Sequence, residues 1–249
     1  MLNNSFQADS SWQAIDNGII LAKKDFKYFW KPLLLLLVGL SLILTFVIPV
    51  EGVQWVVVIL WWLKPVYDRL IILIYSQRQI KSETDFIVWF NFKNILKEFV
   101  KVLFNSSLLS DLTIHRFSLT RSFRLPVSQL EKQTGKLAKE RFRVLGVHTL
   151  GRARNLTMLA VQMELLIGIT MISMYSFIIP EGFRGEWMLS ELSGNEVVLQ
   201  YLSVYFYILT IYLIEPLYVA SGFYLYMNKR VKLEAWDIEV MFKNIAAKV

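Results

Sequence analysis

Five ionisable residues stand inside stretches of the sequence that are otherwise apolar. Lys64, Asp68 and Arg69 interrupt one such stretch, and Glu164 and Glu215 interrupt two later ones. Because a charged side chain at the centre of a bilayer costs about 2.5–3.5 kcal/mol, such residues face the interior of a helix bundle and pair with one another. The sequence therefore predicts an intramembrane polar cluster made of these five residues.

Cations and carboxylates that face one another in this way allow two kinds of chemistry. They can fix which helices pack together, or their carboxylates can bind protons or ions along a water-filled path. We expect Lys64 to pair with Glu215. Asp68 stands one turn further along the first helix, and Arg69 is available to Glu164. The sequence leaves open whether the cluster is structural or functional.

Two of the charged residues are followed by proline, and the two stretches that contain them are copies. The offset that relates Pro65 to Pro216 also relates Tyr67 to Tyr218, and further matches follow in the same order. This shared order indicates a duplicated two-helix hairpin. A proline inside a helix bends it and leaves the carbonyl four residues earlier without its partner. We therefore predict helix kinks at both prolines, with a freed carbonyl at Trp61 in the first copy.

Four apolar runs are long enough to cross the core of a bilayer, which takes about 20 helical residues. The sequence therefore predicts an all-α integral membrane protein, with four transmembrane helices as two duplicated hairpins and with amphipathic cytoplasmic helices. The predicted segments are an N-terminal amphipathic cytoplasmic or interfacial helix (1–31), a first transmembrane hairpin (32–76), a basic cytoplasmic helical domain (77–155), a second transmembrane hairpin (156–227) with an external loop (180–199), and an amphipathic cytoplasmic tail (228–249).

Two local patterns give further predictions. In the N-terminal segment, apolar residues such as Trp12, Ile15 and Ile19 recur at three- and four-residue steps, which is typical of a helix lying on a membrane surface. Packing of this helix against the rest of the protein is the alternative. Pro126 restricts the residue before it, so we expect the stretch 116–126 to be extended or turning.

Composition and charge agree with a membrane protein. The chain is 55% hydrophobic with a net charge of +7 and no cysteine, which excludes disulfides and cysteine-based metal sites. Most of the 27 Lys and Arg residues fall in the two ends and the central segment. By the positive-inside rule these parts are cytoplasmic, so both termini lie on that side. The basic balance thus reflects topology and contact with anionic lipid, and no nucleic acid is expected as a partner.

Catalytic and metal-binding patterns are scarce in the sequence. The two histidines, His115 and His148, lack the spaced His, Asp, Glu or Cys partners of a metal site. Neither a Gly-rich phosphate loop nor a Gly-x-Ser-x-Gly nucleophile turn occurs. We therefore predict no enzymatic activity, no cofactor and no metal.

Several stretches of the chain resemble a family of uncharacterised bacterial inner-membrane proteins. The range Glu215–Arg230, followed by Leu233–Glu239, is similar to the C-terminal signature of that family. The ranges Trp12–Gly18, Trp62–Arg69 and Arg121–Glu131 also resemble it. Relatives are encoded beside MoxR-type AAA+ ATPases and von Willebrand A-domain proteins. The resemblance implies membership of a membrane-associated assembly in the bacterial inner membrane and implies no particular reaction.

The sequence and the resemblance together predict a non-enzymatic membrane subunit or scaffold of an inner-membrane complex linked to a MoxR-type ATPase. Its partners would be the lipid bilayer, other membrane subunits and a cytoplasmic AAA+ ATPase or A-domain protein. The alternative is an oligomeric transporter or channel component that uses the intramembrane charges, and homo-oligomerisation is left open. The candidates for contact with an acidic partner or with lipid head groups are Arg121, Arg124, Arg141, Arg143, Arg152 and Arg154.

Overall fold

The computed structural model describes residues 10–105, 108–178 and 192–246. Within these ranges the chain is helical and contains no strand, which confirms the all-α class. The helices are α1 (Ser11–Lys24), α2 (Phe26–Val47), α3 (Gln54–Trp62), α4 (Lys64–Ile80), α5 (Glu83–Trp89), α6 (Phe92–Asn105), α7 (Leu108–Leu112), α8 (Arg121–Leu130), α9 (Gly135–Gly146), α10 (Leu150–Ile178) and α11 (Leu192–Ala246). Of the predicted external loop, 180–191 lies outside the described residues, and the rest belongs to α11.

Within the described residues, two stretches of helix are long and apolar enough to cross a membrane. They are α2, with 22 residues, and the 35-residue part Gln200–Glu234 of α11. Apolar side chains also stand exposed on the outer faces of α2, α3 and α10, for example Phe46, Trp55 and Leu165. These features support association with a membrane through length and composition.

The first helix packs against the last one. A Ser10 capping box begins α1, and the Ser221 hydroxyl on α11 donates to the Ile15 carbonyl at 3.2 Å. At the crossing, a Cβ on Gly18 would come within 2.5 Å of the Ser221 Cα, so only a residue without a side chain fits. The sequence favoured a helix lying on the membrane surface, whereas the structure has the packed alternative. The stripe of α1 that is buried consists of Ala14, Ile15, Gly18 and Ala22.

The predicted second span, 53–76, is divided into two helices with different surroundings. The first helix, α3, leaves Trp55 and Trp62 exposed. The second, α4, is buried almost completely between Lys64 and Ser76 because α2, α6, α8 and α11 surround it. The junction between them is Leu63, and the kink expected near Pro65 is therefore a break between two helices.

The central segment packs onto α4 and α11, and its buried side chains belong to the same apolar core. The extended or turning conformation predicted for 116–126 is wrong for the last part of that stretch. Residues from Arg121 onward form α8, with Pro126 inside the helix. Burial of one face of α8 outweighs the local restriction that proline imposes. A Cβ on Gly222 of α11 would lie 2.3 Å from the Ser122 Cβ, which shows how closely α8 and α11 approach. The buried residues of α8 are Ser122, Phe123, Leu125, Pro126 and Val127.

Candidate functional site

A buried cluster of charged side chains lies where α4, α8, α10 and α11 meet. Lys64 on α4 forms an ion pair with Glu164 on α10, and its Nζ lies 2.9 Å from Oε2 of Glu215 on α11. The expected pair across the duplication is therefore present. Glu164, which was expected to pair with Arg69, is bound by Lys64 instead. Lysine at one copy and glutamate at the other allow the two halves to bind one another directly.

Arg121 on α8 completes this cluster. Its Nε lies 2.7 Å from Oδ2 of Asp68, and its Nη2 lies 2.6 Å from Oε1 of Glu215. Burial by itself would lower the pKa of Arg121, but Asp68, Tyr218 and Glu215 raise it above its ordinary value. The sequence predicted that Arg121 contacts an acidic partner or lipid head groups. This prediction is wrong, because two buried carboxylates, on α4 and α11, bind its guanidinium.

Arg69 takes part in a separate buried pair. It points to α7, where its guanidinium donates to the carboxylate of Asp111. Burial raises the pKa of Asp111, while the neighbouring Arg69 and Arg124 oppose that rise. On the same side, Gln129 of α8 donates to the carbonyl of Arg69 at 2.9 Å. Arg69 therefore joins α4 to the central segment and does not reach Glu164.

Arg116 serves the break between α3 and α4. Its guanidinium donates to the carbonyl of Trp61 and lies 3.9 Å from the centroid of the Trp61 ring. This carbonyl is the one that Pro65 leaves without a helical partner. The sequence predicted the free carbonyl but gave no donor for it. At the same junction, the hydroxyl of Tyr67 donates to the carbonyl of Leu60 at 3.2 Å.

Tyrosine hydroxyls of the second copy bind α8. Tyr218 accepts the backbone N–H of Ser122 at 3.2 Å and shares a hydrogen bond of 3.1 Å with Thr157. Tyr226 donates to the carboxylate of Glu131 at 2.7 Å, just beyond the end of α8. The central segment is thus hydrogen-bonded along α11 as well as paired with it through charges.

The other five arginines that the sequence singled out have different surroundings. Arg124 is half-buried and lies 5.8 Å from the centroid of the Phe142 ring. Arg141 is held by Glu131 at 2.8 Å, and Arg152 donates to the backbone carbonyl of His148, just before α10 begins. The two that are exposed to solvent, and so are free to meet a partner, are Arg143 and Arg154.

The cluster combines three carboxylates with two cations, and Arg116 lies nearby. Its members come from four helices, and Asp68 and Glu215 are almost completely buried. Removing one partner of a buried ion pair costs about 3–5 kcal/mol because the other charge is left uncompensated. The arrangement can therefore fix the relative positions of the four helices, and its third carboxylate gives it one place for a proton or a cation.

Within residues 10–105, 108–178 and 192–246, no group of three or more His, Asp or Glu side chains is arranged to hold a metal ion. Comparison of the chain with protein-family models, with curated proteins and with solved structures finds no match.

Proposed function

We propose that the protein is a non-enzymatic membrane subunit that serves as a platform in a bacterial inner-membrane assembly. In this proposal its helices form four membrane spans, arranged as two hairpins, with the central segment and both termini on the cytoplasmic side. The exposed apolar side chains on α2, α3 and α10 support such an arrangement.

The observation that carries the proposal is the network around Arg121. This residue comes from the central segment and binds Asp68 and Glu215, one from each copy of the duplication. Its charge is used to hold helices together, as expected of a rigid platform rather than of a site that turns over a substrate. A rigid platform presents its cytoplasmic surface to partners in a fixed orientation.

The partner-binding surface would lie on α9 and the start of α10. Arg143 and Arg154 are exposed there, together with Lys136 and Lys139. A basic surface of this kind fits an acidic face of a cytoplasmic protein. Following the family resemblance, we propose a MoxR-type AAA+ ATPase or an A-domain protein as that partner, together with other membrane subunits.

A second candidate is a component of an oligomeric transporter or channel. The observation in its favour is the helix break at Leu63, directly before Lys64 of the buried cluster, in which three carboxylates face two cations. Broken helices next to buried charges are common at the ion sites of transporters. In this alternative the cluster would bind a proton or cation within a homo-oligomer.

One experiment separates the two candidates. The tagged protein is extracted from its native membrane in mild detergent, and co-purifying proteins are identified with their stoichiometry. The platform predicts an ATPase or A-domain protein whose recovery falls when Arg143→Gln and Arg154→Gln are combined. The matched control, Lys23→Gln with Lys24→Gln, removes two exposed cations from α1 and should leave recovery unchanged.

The outcomes point in different directions. Loss of the partner with the first double variant alone would support the platform and its basic surface. Equal recovery from both double variants would contradict the proposed surface. A homo-oligomer without any other protein would contradict the platform and favour the transport alternative.

A further inference from the structure

A cavity of about 430 Å³ opens between α7, α8 and α9. It is separate from the buried charge cluster. Ser110 of α7 and His115, which follows that helix, line one side, and residues of α9 line the other. The lining combines cationic and hydroxyl groups with an apolar wall, a combination that suits an anionic and partly apolar ligand.

The cations of the cavity are available to a ligand. Among the described residues, Arg124 forms no ion pair within 4.0 Å, because the neighbouring carboxylate of Asp111 is bound by Arg69. Lys139 reaches the cavity from α9 and is exposed. A guanidinium and an ammonium on two facing helices are the usual ligands of a phosphate group.

The lining of the cavity also includes a hydrogen-bond acceptor that has no partner among the described residues. Gln133 belongs to the lining, and within the described part of the chain its buried Oε1 has no hydrogen-bond partner. The loop that carries it is held in shape by left-handed backbone conformations at Lys132 (φ 52°) and Gly135 (φ 62°). A ligand that fits this cavity would therefore bring a donor, such as a hydroxyl, close to its phosphate.

Apolar side chains form part of the cavity lining, and others stand exposed next to it as an apolar rim. Val127, Ala138 and Phe142 form the wall of the cavity. Leu109 and Ile114, the chain neighbours of the lining residues Ser110 and His115, are 79% and 77% exposed, which is unusual for side chains of their type. An acyl chain attached to a bound head group could run along this rim.

We propose that the cavity binds a phosphate ester that carries a neighbouring hydroxyl group. Arg124 and Lys139 hold the phosphate, and Gln133 accepts the hydroxyl. This chemistry has two sources, the glycerol phosphate head group of an anionic phospholipid and soluble glycerol phosphate. The proposal is independent of the platform function, since it requires neither a protein partner nor transport.

The test uses the full-length protein in detergent and measures the affinity for three ligands by the shift in thermal unfolding midpoint. They are short-chain phosphatidylglycerol, short-chain phosphatidylcholine and glycerol 3-phosphate. Phosphatidylcholine lacks the hydroxyl donor and carries a quaternary ammonium that the two cations of the cavity repel, so we expect it to bind about tenfold more weakly than phosphatidylglycerol. Glycerol 3-phosphate as strong as phosphatidylglycerol would identify the soluble source, and a much weaker effect would identify the lipid.

Three substitutions assign the binding to the cavity. Lys139→Gln should weaken phosphatidylglycerol about fivefold, and Arg124→Gln about tenfold or more. Gln133→Leu should reduce the preference for phosphatidylglycerol over phosphatidylcholine by weakening phosphatidylglycerol and leaving phosphatidylcholine unchanged. The matched control is Lys136→Gln, which removes an exposed lysine from the same helix without touching the cavity lining.

The proposal stands if Lys139→Gln and Gln133→Leu have these effects while Lys136→Gln binds as the unchanged protein does. Since Lys139 is exposed, its substitution leaves folding intact even if Arg124→Gln does not fold. Equal weakening by Lys136→Gln and Lys139→Gln would overturn the proposal, because it would indicate attraction to surface charge in general. Failure of all three ligands to shift the midpoint would overturn it as well.

Discussion

Lys64-Pro65 and Glu215-Pro216 occupy matching positions in the two similar segments of the sequence. The helices around them nevertheless differ. In the first copy, α3 ends and α4 begins around Leu63, so Pro65 lies in the first turn of a new helix. In the second copy, α11 continues through Pro216 as one helix. Proline in a first turn has no helical partner to lose, whereas proline inside a helix does.

The surroundings explain the difference better than the local sequence does. At the first junction Arg116 donates to the Trp61 carbonyl, which receives no donor from a following helical turn because α3 ends at Trp62. The second junction lies beside α8, where Arg121 and Ser122 contact Glu215 and Tyr218. Two similar segments of sequence therefore have different geometries, because residues of the central segment bind each of them differently.

The largest effect is expected where one residue binds both copies. Arg121→Gln leaves Asp68 and Glu215 without their shared cation, so we expect a loss of about 3–5 kcal/mol in the free energy of unfolding. The fraction of folded protein after detergent extraction, followed by size exclusion, measures this loss. Arg143→Gln removes an exposed arginine and serves as the control. A folded Arg121→Gln protein with an unchanged melting midpoint would show that the bridge contributes little.

Exchanging the charges of Lys64 and Glu215 tests whether the stability contributed by this pair is independent of the neighbouring charges. Each of Lys64→Glu and Glu215→Lys should cost about 3 kcal/mol or more. The combined exchange should fail to restore the protein, because the new lysine would face Arg121 and the new glutamate would face Glu164. The amount of folded protein in membrane fractions measures the rescue. Full recovery would mean that the pair is isolated from Arg121 and Glu164.

The smallest expected effect concerns the prolines themselves. Pro216→Ala supplies an N–H inside a continuous helix and should raise the free energy of unfolding by about 1 kcal/mol. Pro65→Ala should give almost no gain, since Arg116 already occupies the Trp61 carbonyl. Thermal unfolding midpoints of the two variants, measured in the same detergent, test the difference. Equal gains at both positions would contradict the role assigned to Arg116.

The helical class and one ion pair could be predicted from the sequence. Apolar runs and periodicity specify helices locally, and the duplication indicated that Lys64 faces Glu215. The partners Arg116, Arg121 and Asp111 were not identified, because charges in a basic segment have the composition of a solvated surface. Arg121 and Glu215 are 94 residues apart, and no local pattern connects them. The signal that was present was the excess of carboxylates over cations among the five ionisable residues of the apolar stretches, which required one more cation.

The assignments of Pro126 and of α1 show a second limit of sequence patterns. The first used the restriction that proline imposes on the residue before it, and the second used the amphipathic stripe of the helix. In both cases the outcome depends on which element covers the segment. In the structure α11 covers one face of each element, through Gly222 towards α8 and through Ser221 towards α1. An apolar stripe specifies that a helix face is buried but does not specify whether lipid or protein buries it.

The contact between α1 and α11 has a consequence for biosynthesis. Ile15 and Ser221 are 206 residues apart, and at about 5–20 residues per second the ribosome needs about 10–40 s to synthesise the chain between them. During this time the stripe of α1 lacks its partner on α11, and a membrane surface is one place where an amphipathic helix of this kind can bury its apolar face. Docking of α1 onto α11 therefore requires that the part of α11 around Ser221 has already been made.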